Sequence, residues 1–244
     1  MWKQRLLFLC VAVPLLAVCV TGPNSAIPAD GGAEIAGETH YIALTFDDGP
    51  CRDTTARLLD GLKARGASAT FFLVGRQIPG NEDLVRRMAA EGHQVGNHTW
   101  SHVKLQDAAP ATIAQEVKKT DALLQVLLGE GTYWLRPPYG LICEAEKKQI
   151  PVPMVHWSVD PMDWNLRDAG KVARAVLDRA KPGDIILLHD LCPTSVEAAL
   201  QVIDTLQGRG YCFVTVEELL ALHGVRPARG ELVRSAHEGV CPLS

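Results

Sequence analysis

Five short polar clusters each follow a run of apolar residues: Asp47-Asp48-Gly49-Pro50, His98-Thr99-Trp100-Ser101-His102, Arg136-Pro137-Pro138-Tyr139-Gly140, Asp160-Pro161-Met162-Asp163-Trp164 and His189-Asp190. Adjacent aspartates at a strand end that turns into Gly-Pro can send two carboxylates in different directions, one to bind a metal and one to stay free as a base. The same Asp-Gly-Pro is a turn signal, so both also read as turn caps. His98 and His102 are four residues apart. On a helical turn that spacing sets both imidazoles on one side, about 6 Å apart along the axis, which suits metal capture. Such pairs also occur as solvated or core histidines. Two histidines and one carboxylate leave a coordination position open for water, as in catalytic zinc sites, and the N and O donors also admit cobalt, nickel, manganese or iron.

The other clusters suggest supporting roles. Arg136 stands before two prolines that stiffen its loop, and reads either as a fixed cation holding a carboxylate such as Asp47 or as a surface arginine. Asp163 and His189 can pair so that the carboxylate stabilises an imidazolium, leaving His189 as a proton donor. The plainer reading of His189 is a strand-end histidine satisfied by backbone groups. His93, His156, His223 and His237 have no such company and read as structural.

These clusters need a frame that brings them together. Apolar runs at 41–46, 69–74, 153–159, 184–188 and 211–216, with weaker ones at 94–96 and 133–135, predict buried strands. Between them, 54–65, 83–91, 110–128, 168–180 and 194–208 have helical period. Strand–helix alternation repeated about seven times predicts an α/β fold of parallel strands with crossover helices, either a barrel or an open doubly wound sheet. In both, function gathers at the C-terminal ends of strands, where all five clusters fall. Residues 224–244 are weakly patterned and are expected to decorate the surface.

The chain has 244 residues, 47% hydrophobic and 21% charged, which fits one globular domain with a sizeable core. A net charge of −4 with no Lys or Arg run argues against a nucleic-acid partner, and no obligate protein partner is indicated. Residues 1–21, a basic start followed by an apolar stretch, read as a secretory signal. Cys19 within Leu16-Ala17-Val18-Cys19 offers a lipoprotein-type alternative, and an uncleaved anchor helix is the third reading. Residues 22–38 read as a flexible linker. The chain is therefore expected to be exported to the periplasm, cell envelope or medium, touching a membrane only through such an anchor. Of the cysteines beyond the leader, Cys51, Cys143 and Cys192 follow chemical clusters and read as a rim disulfide or redox-sensitive loop, or as unrelated small residues; Cys212 and Cys241 complete the set.

In order and content, the five clusters resemble the motifs of the polysaccharide deacetylase family, the NodB-homology domain of carbohydrate esterase family four. The resemblance runs over residues 41–222, within a catalytic domain placed at 39–223, and residues 189–220 resemble the peptidoglycan N-acetylglucosamine deacetylase branch. It implies a single-domain, distorted (β/α)7 barrel with a gap in its wall for a polymer. It also implies Asp47 as general base; Asp48, His98 and His102 as ligands of one divalent metal, zinc by preference; Arg136 as the residue positioning Asp47; and the Tyr139 amide as an oxyanion donor. Asp163 then tunes His189, the general acid, and Trp164 with Tyr139 lines the sugar groove. The expected activity is hydrolysis of N-acetyl groups from an amino-sugar polysaccharide, such as peptidoglycan or a chitin-like oligosaccharide, releasing acetate. An O-acetyl esterase of the xylan type, a small-molecule amidase and a non-catalytic wall-binding module are the alternatives. One departure is that Pro151 and Pro153 interrupt the short stretch after the third motif, predicting a truncated helix there.

Overall fold

The computed structural model describes residues 39–237. The expected leader, linker and lipid-anchor cysteine, together with Cys241, lie outside the described residues. The elements run β1 (His40–Asp47), α1 (Arg52–Ala64), β2 (Thr70–Leu73), α2 (Glu82–Ala90), β3 (Gln94–Asn97), α3 (Pro110–Leu128), α4 (Glu144–Lys147), β4 (Met154–Val155), α5 (Asp163–Leu166), α6 (Ala169–Leu177), β5 (Ile185–His189), α7 (Pro193–Gln207), β6 (Tyr211–Phe213), α8 (Val216–Leu222) and β7 (Leu232–Val233).

β1 is the hub. Its Ile42–Phe46 core is buried on both faces, as a parallel strand covered by helices must be. It pairs in parallel with β2, β5 and β6, and β2 pairs with β3. Beyond β3 the wall thins to isolated bridges, Asn97 to Leu135 and Leu135 to Met154, while Val159 bridges Ile186 of β5. The wall thus returns to β5 and to β1, forming a distorted (β/α)7 barrel whose pairing is continuous on one side and reduced to single bridges on the other. The weak 133–135 signal corresponds to one bridging residue, and the 153–159 run to a two-residue strand plus a later bridge.

Outside the barrel, Leu58, Leu59 and Leu62 of α1 pack into the main core with Val196, Ala199, Val202 and Ile203 of α7. α3 carries Pro110 at its start, where the missing N–H costs nothing, and runs the full predicted length. The helix after the third cluster is indeed short, only Glu144–Lys147.

One expectation fails. Part of the supposed surface tail is β7, which pairs in parallel with β4. Met154 N–H donates to Glu231 O and His156 N–H to Val233 O, each at 2.7 Å. Val233, Ser235 and Ala236 are buried, so this segment completes the wall rather than coating it. Two apolar residues between Glu231 and Arg234 are too few to show a period.

Candidate active site

The five clusters meet at one end of the barrel because their strands are parallel and in register. Asp47 of β1 lies opposite both Phe72 of β2 and His189 of β5, and Leu73 lies opposite Asn97. Asp47, Asp48, His98, His102, Tyr139, Trp164 and His189 line one cavity of about 550 Å³. Arg136 and Asp163 are fully buried. Trp157 and Leu191 also line the cavity and carried no signal beyond apolarity in the sequence.

The two aspartates diverge because the backbone changes hand between them. Asp47 ends the extended strand, whereas Asp48 has φ 74, the left-handed region that residues with a Cβ seldom occupy. Asp47 is directed to Arg136, whose Nη1 donates to Asp47 Oδ1 and to Thr45 Oγ1, both at 2.7 Å. The same guanidinium donates from Nη2 to His156 O at 2.8 Å and from Nε to Val155 O at 3.3 Å, and stacks 4.2 Å above the Phe72 ring. Four N–H···O bonds in a rigid fork, all from one buried side chain, fix the position of the Asp47 carboxylate. Burial pulls this guanidinium down from its ordinary pKa, and Asp47 acts in the opposite direction.

Asp48 is directed to the histidines. Its Oδ1 lies 3.2 Å from His102 Nε2 and 3.6 Å from His98 Nε2. The two imidazoles do not share a helical turn. Residues 98–105 are irregular, with Thr99 at φ 64 and His102 at φ 61 reversing the chain. The ring centroids are 4.9 Å apart. α3 pins this loop: Asn97 Oδ1 accepts the Thr99 N–H at 2.7 Å, while Asn97 Nδ2 donates to Val117 O at 2.9 Å. Glu116 accepts from Ser101 N–H at 2.7 Å and from Ser101 Oγ at 2.9 Å. Neither Asn97 nor Glu116 was legible as a site residue, since both act through tertiary contacts.

The donor set fits a divalent metal. Asp48, His98 and His102 each offer one ligand atom, all within 4.8 Å of one another. Ligands about 2.1 Å from a tetrahedral zinc lie roughly 3.4 Å apart, close to the observed spacing around Asp48. Asp48 Oδ1 is a buried oxygen with no hydrogen-bond partner, an arrangement that costs free energy unless a cation or donor meets it. His98 Nδ1 contacts Arg136 O at 2.7 Å, and a carbonyl can only accept, so Nδ1 carries the proton and the Nε2 lone pair faces the aspartate pair, 3.6 Å from Asp48 Oδ1 and 3.6 Å from Asp47 Oδ2. Burial drives His98 down to about 3, which keeps the ring neutral and able to ligate.

Across the cavity, Asp163 heads α5 and uses both oxygens on His189, Oδ1 to the ring Nδ1 and Oδ2 from the backbone N–H, each at 2.8 Å. Burial lowers the His189 pKa, but the hydrogen bond and charge of Asp163, with the charges of Asp47 and Asp48, outweigh it and push His189 up to about 9. Near neutrality His189 is therefore a protonated imidazolium. Tyr139 has φ 62, leans edge-on against His102 with centroids 4.7 Å apart, and has an N–H that donates to no described residue. Trp164 is 52% exposed beside the cavity, an aromatic face open to a ligand.

Cys51, Cys143, Cys192 and Cys212 are all free thiols, so the rim disulfide, one of the alternatives the sequence left open, is absent among the described residues. Cys192 borders the cavity, whereas Cys51 and Cys143 do not line it.

Against known proteins, residues 35–150 match the family model for polysaccharide deacetylase. The chain is 39% identical over 178 residues to the peptidoglycan-N-acetylglucosamine deacetylase PgdA of Listeria monocytogenes, an alignment covering 73% of this chain but 38% of that protein. It is 34% identical over 204 residues to the chitooligosaccharide deacetylase of Rhizobium leguminosarum bv. trifolii, covering 77% of this chain and 94% of that one. Among solved structures, a family 4 acetyl xylan esterase from Clostridium thermocellum in complex with a cobalt ion superposes with a TM-score of 0.76 at 34% identity, covering 83% of this chain and all of that one.

Proposed function

Because the chain belongs to the polysaccharide deacetylase family, we propose that it is a metal-dependent hydrolase removing N-acetyl groups from an amino-sugar polymer, peptidoglycan or a chitin-like oligosaccharide. The observation that carries this reading is the convergence of Asp48, His98 and His102 beside a separate, arginine-held Asp47 and an Asp163-held His189. One carboxylate is free to bind metal while the other is reserved for proton transfer.

In this reading Asp48, His98 and His102 hold one divalent cation, zinc by preference, with cobalt, nickel, manganese and iron as the chemically allowed alternatives. When bound, that cation supplies Lewis acidity to a carbonyl oxygen and to water. Arg136 holds Asp47 in orientation, and Asp47 takes the proton of the attacking water. The Tyr139 N–H, aimed by its left-handed backbone, donates to the oxygen on which charge develops. His189 gives its Nε2 proton to the departing amine while Asp163 stabilises the imidazolium. Acetate and a free amino sugar leave, with no acyl group passing through the protein. Trp164 and Tyr139 present apolar faces to the pyranose rings.

Asp47→Asn should lower acetate release by about 10²–10⁴-fold with metal still bound, whereas Asp48→Asn should lose metal as well. Near-normal turnover by Asp47→Asn would refute the base assignment. A second reading, O-acetyl ester hydrolysis, is favoured by the likeness to the acetyl xylan esterase. Acetate release from peptidoglycan, chitooligosaccharide, poly-N-acetylglucosamine and acetyl-xylan separates the two. A leader-like sequence start supports export and cell-envelope action, with Cys19 as the site of lipid attachment under the lipoprotein alternative. No helix among the described residues is long and apolar enough to cross a membrane.

A further inference from the structure

The deacetylation chemistry leaves the most deeply buried of the remaining acids, Asp190, unused. Asp190 follows His189 at the end of β5 and has no exposed surface. Its Oδ2 accepts the Thr55 hydroxyl in the first turn of α1. Thr55 Oγ1 in turn accepts the Cys51 N–H at 2.8 Å. Asp190 Oδ1 has no hydrogen-bond partner.

The carboxylate instead lies flat against Gly49, the residue next to Asp48. A Cβ at position 49 would meet Asp190 Oδ1 at 2.4 Å, Oδ2 at 2.5 Å and Cγ at 2.8 Å. Gly49 is not in the left-handed region, so close approach, not backbone freedom, is what requires glycine here. From the other side, Val74 N–H holds Gly49 O at 3.0 Å. The turn after β1 is thus gripped at Gly49 by β5 and by the residue after β2, and at Cys51 through Thr55. Asp48, at φ 74, is the strained residue at its start, and such a conformation persists only where the surroundings enforce it.

We propose that Asp190 is a positioning residue: wedged against Gly49 and tied to Thr55, it holds the 48–51 turn so that the Asp48 carboxylate meets His98 and His102. This rests on reading Asp48 as a metal ligand. It gives the second residue of the His189-Asp190 cluster a role distinct from proton transfer, and it couples the strand carrying the acid to the turn carrying the metal ligand.

The test is calorimetric titration of Zn²⁺ into the metal-free full chain, alongside thermal unfolding in chelator. Asp190→Ala is expected to weaken Zn²⁺ binding roughly 10–100-fold, the usual effect of losing a group that orients a ligand. Asp190→Asn keeps both the bulk against Gly49 and an acceptor for Thr55, and should stay close to the parent. Gly49→Ala should weaken Zn²⁺ binding with Asp190 in place and do so less in the Asp190→Ala background, where the collision is gone. A purely structural role would lower the melting point of Asp190→Ala while leaving Zn²⁺ affinity unchanged, and that result overturns the proposal. Should Asp190→Ala fail to fold, unchanged Zn²⁺ affinity in Gly49→Ala overturns it equally, and weakened affinity supports it. A parent chain that binds no Zn²⁺ sinks the metal-ligand reading and this inference with it. A parent that binds Zn²⁺, with Asp190→Ala binding alike, sinks only this inference.

Discussion

Replacing Arg136 by methionine and Asp47 by asparagine together should destabilise the fold by less than the sum of the two single replacements. Arg136 and Asp47 are both buried, joined at 2.7 Å, and the same guanidinium satisfies the carbonyls of Val155 and His156. Removing one partner of a buried pair leaves an uncompensated charge, worth about 3–5 kcal/mol, while replacing both with neutral groups is often close to neutral. Two buried carbonyls also lose their charged donor in Arg136→Met, adding about 1–3 kcal/mol each when nothing replaces it. Against a total stability of about 5–15 kcal/mol, losses of this size remove most of the fold's margin in the single variant. Asp47→Asn alone strands the arginine, and the double variant Asp47→Asn with Arg136→Met should regain about 2–3 kcal/mol relative to the sum of the singles. Urea unfolding followed by circular dichroism, in chelator so that metal does not contribute, completes the cycle. Additivity of the two changes to within about 0.5 kcal/mol would mean that the carboxylate does not depend on the arginine, and the argument for Arg136 as its anchor would fail.

Other outcomes rest on the same geometry. Asp163→Asn removes the group that holds His189 up near 9, so the alkaline limb of the rate profile, where the acid loses its proton, should move to lower pH. A pH–rate series on parent and variant reads this directly, and an unmoved limb argues against His189 as the acid. For stability the sign is the same at that residue: with its pKa raised, His189 stabilises the fold most fully below the ordinary histidine value, and that contribution is lost as pH rises through about 9. His156 is the reverse case, lowered to about 4 chiefly by burial and next by Arg234, so its neutral form stabilises the fold above the ordinary value and is lost as pH falls toward 4. Melting temperature in chelator should therefore decline between about pH 6.5 and 4, and His156→Phe should flatten part of that decline. Val233→Asp places an unpaired charge in a buried strand and should cost several kcal/mol by urea unfolding, in contrast to the small effect expected of a surface tail.

Much of the frame was readable because helices and buried strands leave periods several residues long. α3 spans the stretch its pattern defines, and β1 announces itself as a continuous apolar run. Parallel strands then deliver the loops at their C-terminal ends to one side of the barrel, which is why five separated clusters could be joined without coordinates. The features that stayed hidden depend on contacts between distant residues or on reversals of backbone hand. Spacing alone suggested a helical turn for His98 and His102, whereas Thr99 and His102 adopt positive φ and the loop is held by Asn97 and Glu116. β7 is two residues long and exists because β4 offers it an edge. Gly49 read as a turn glycine, and only the position of Asp190 shows that space is what it supplies.

The central claim is that Asp48, His98 and His102 share one cation. Anomalous diffraction from crystals grown with Zn²⁺ tests it most directly. One strong peak is expected about 2.0–2.2 Å from Asp48 Oδ1 and from the Nε2 atoms of both histidines. A peak elsewhere, or none among these three side chains in a crystal that demonstrably contains zinc, would contradict it.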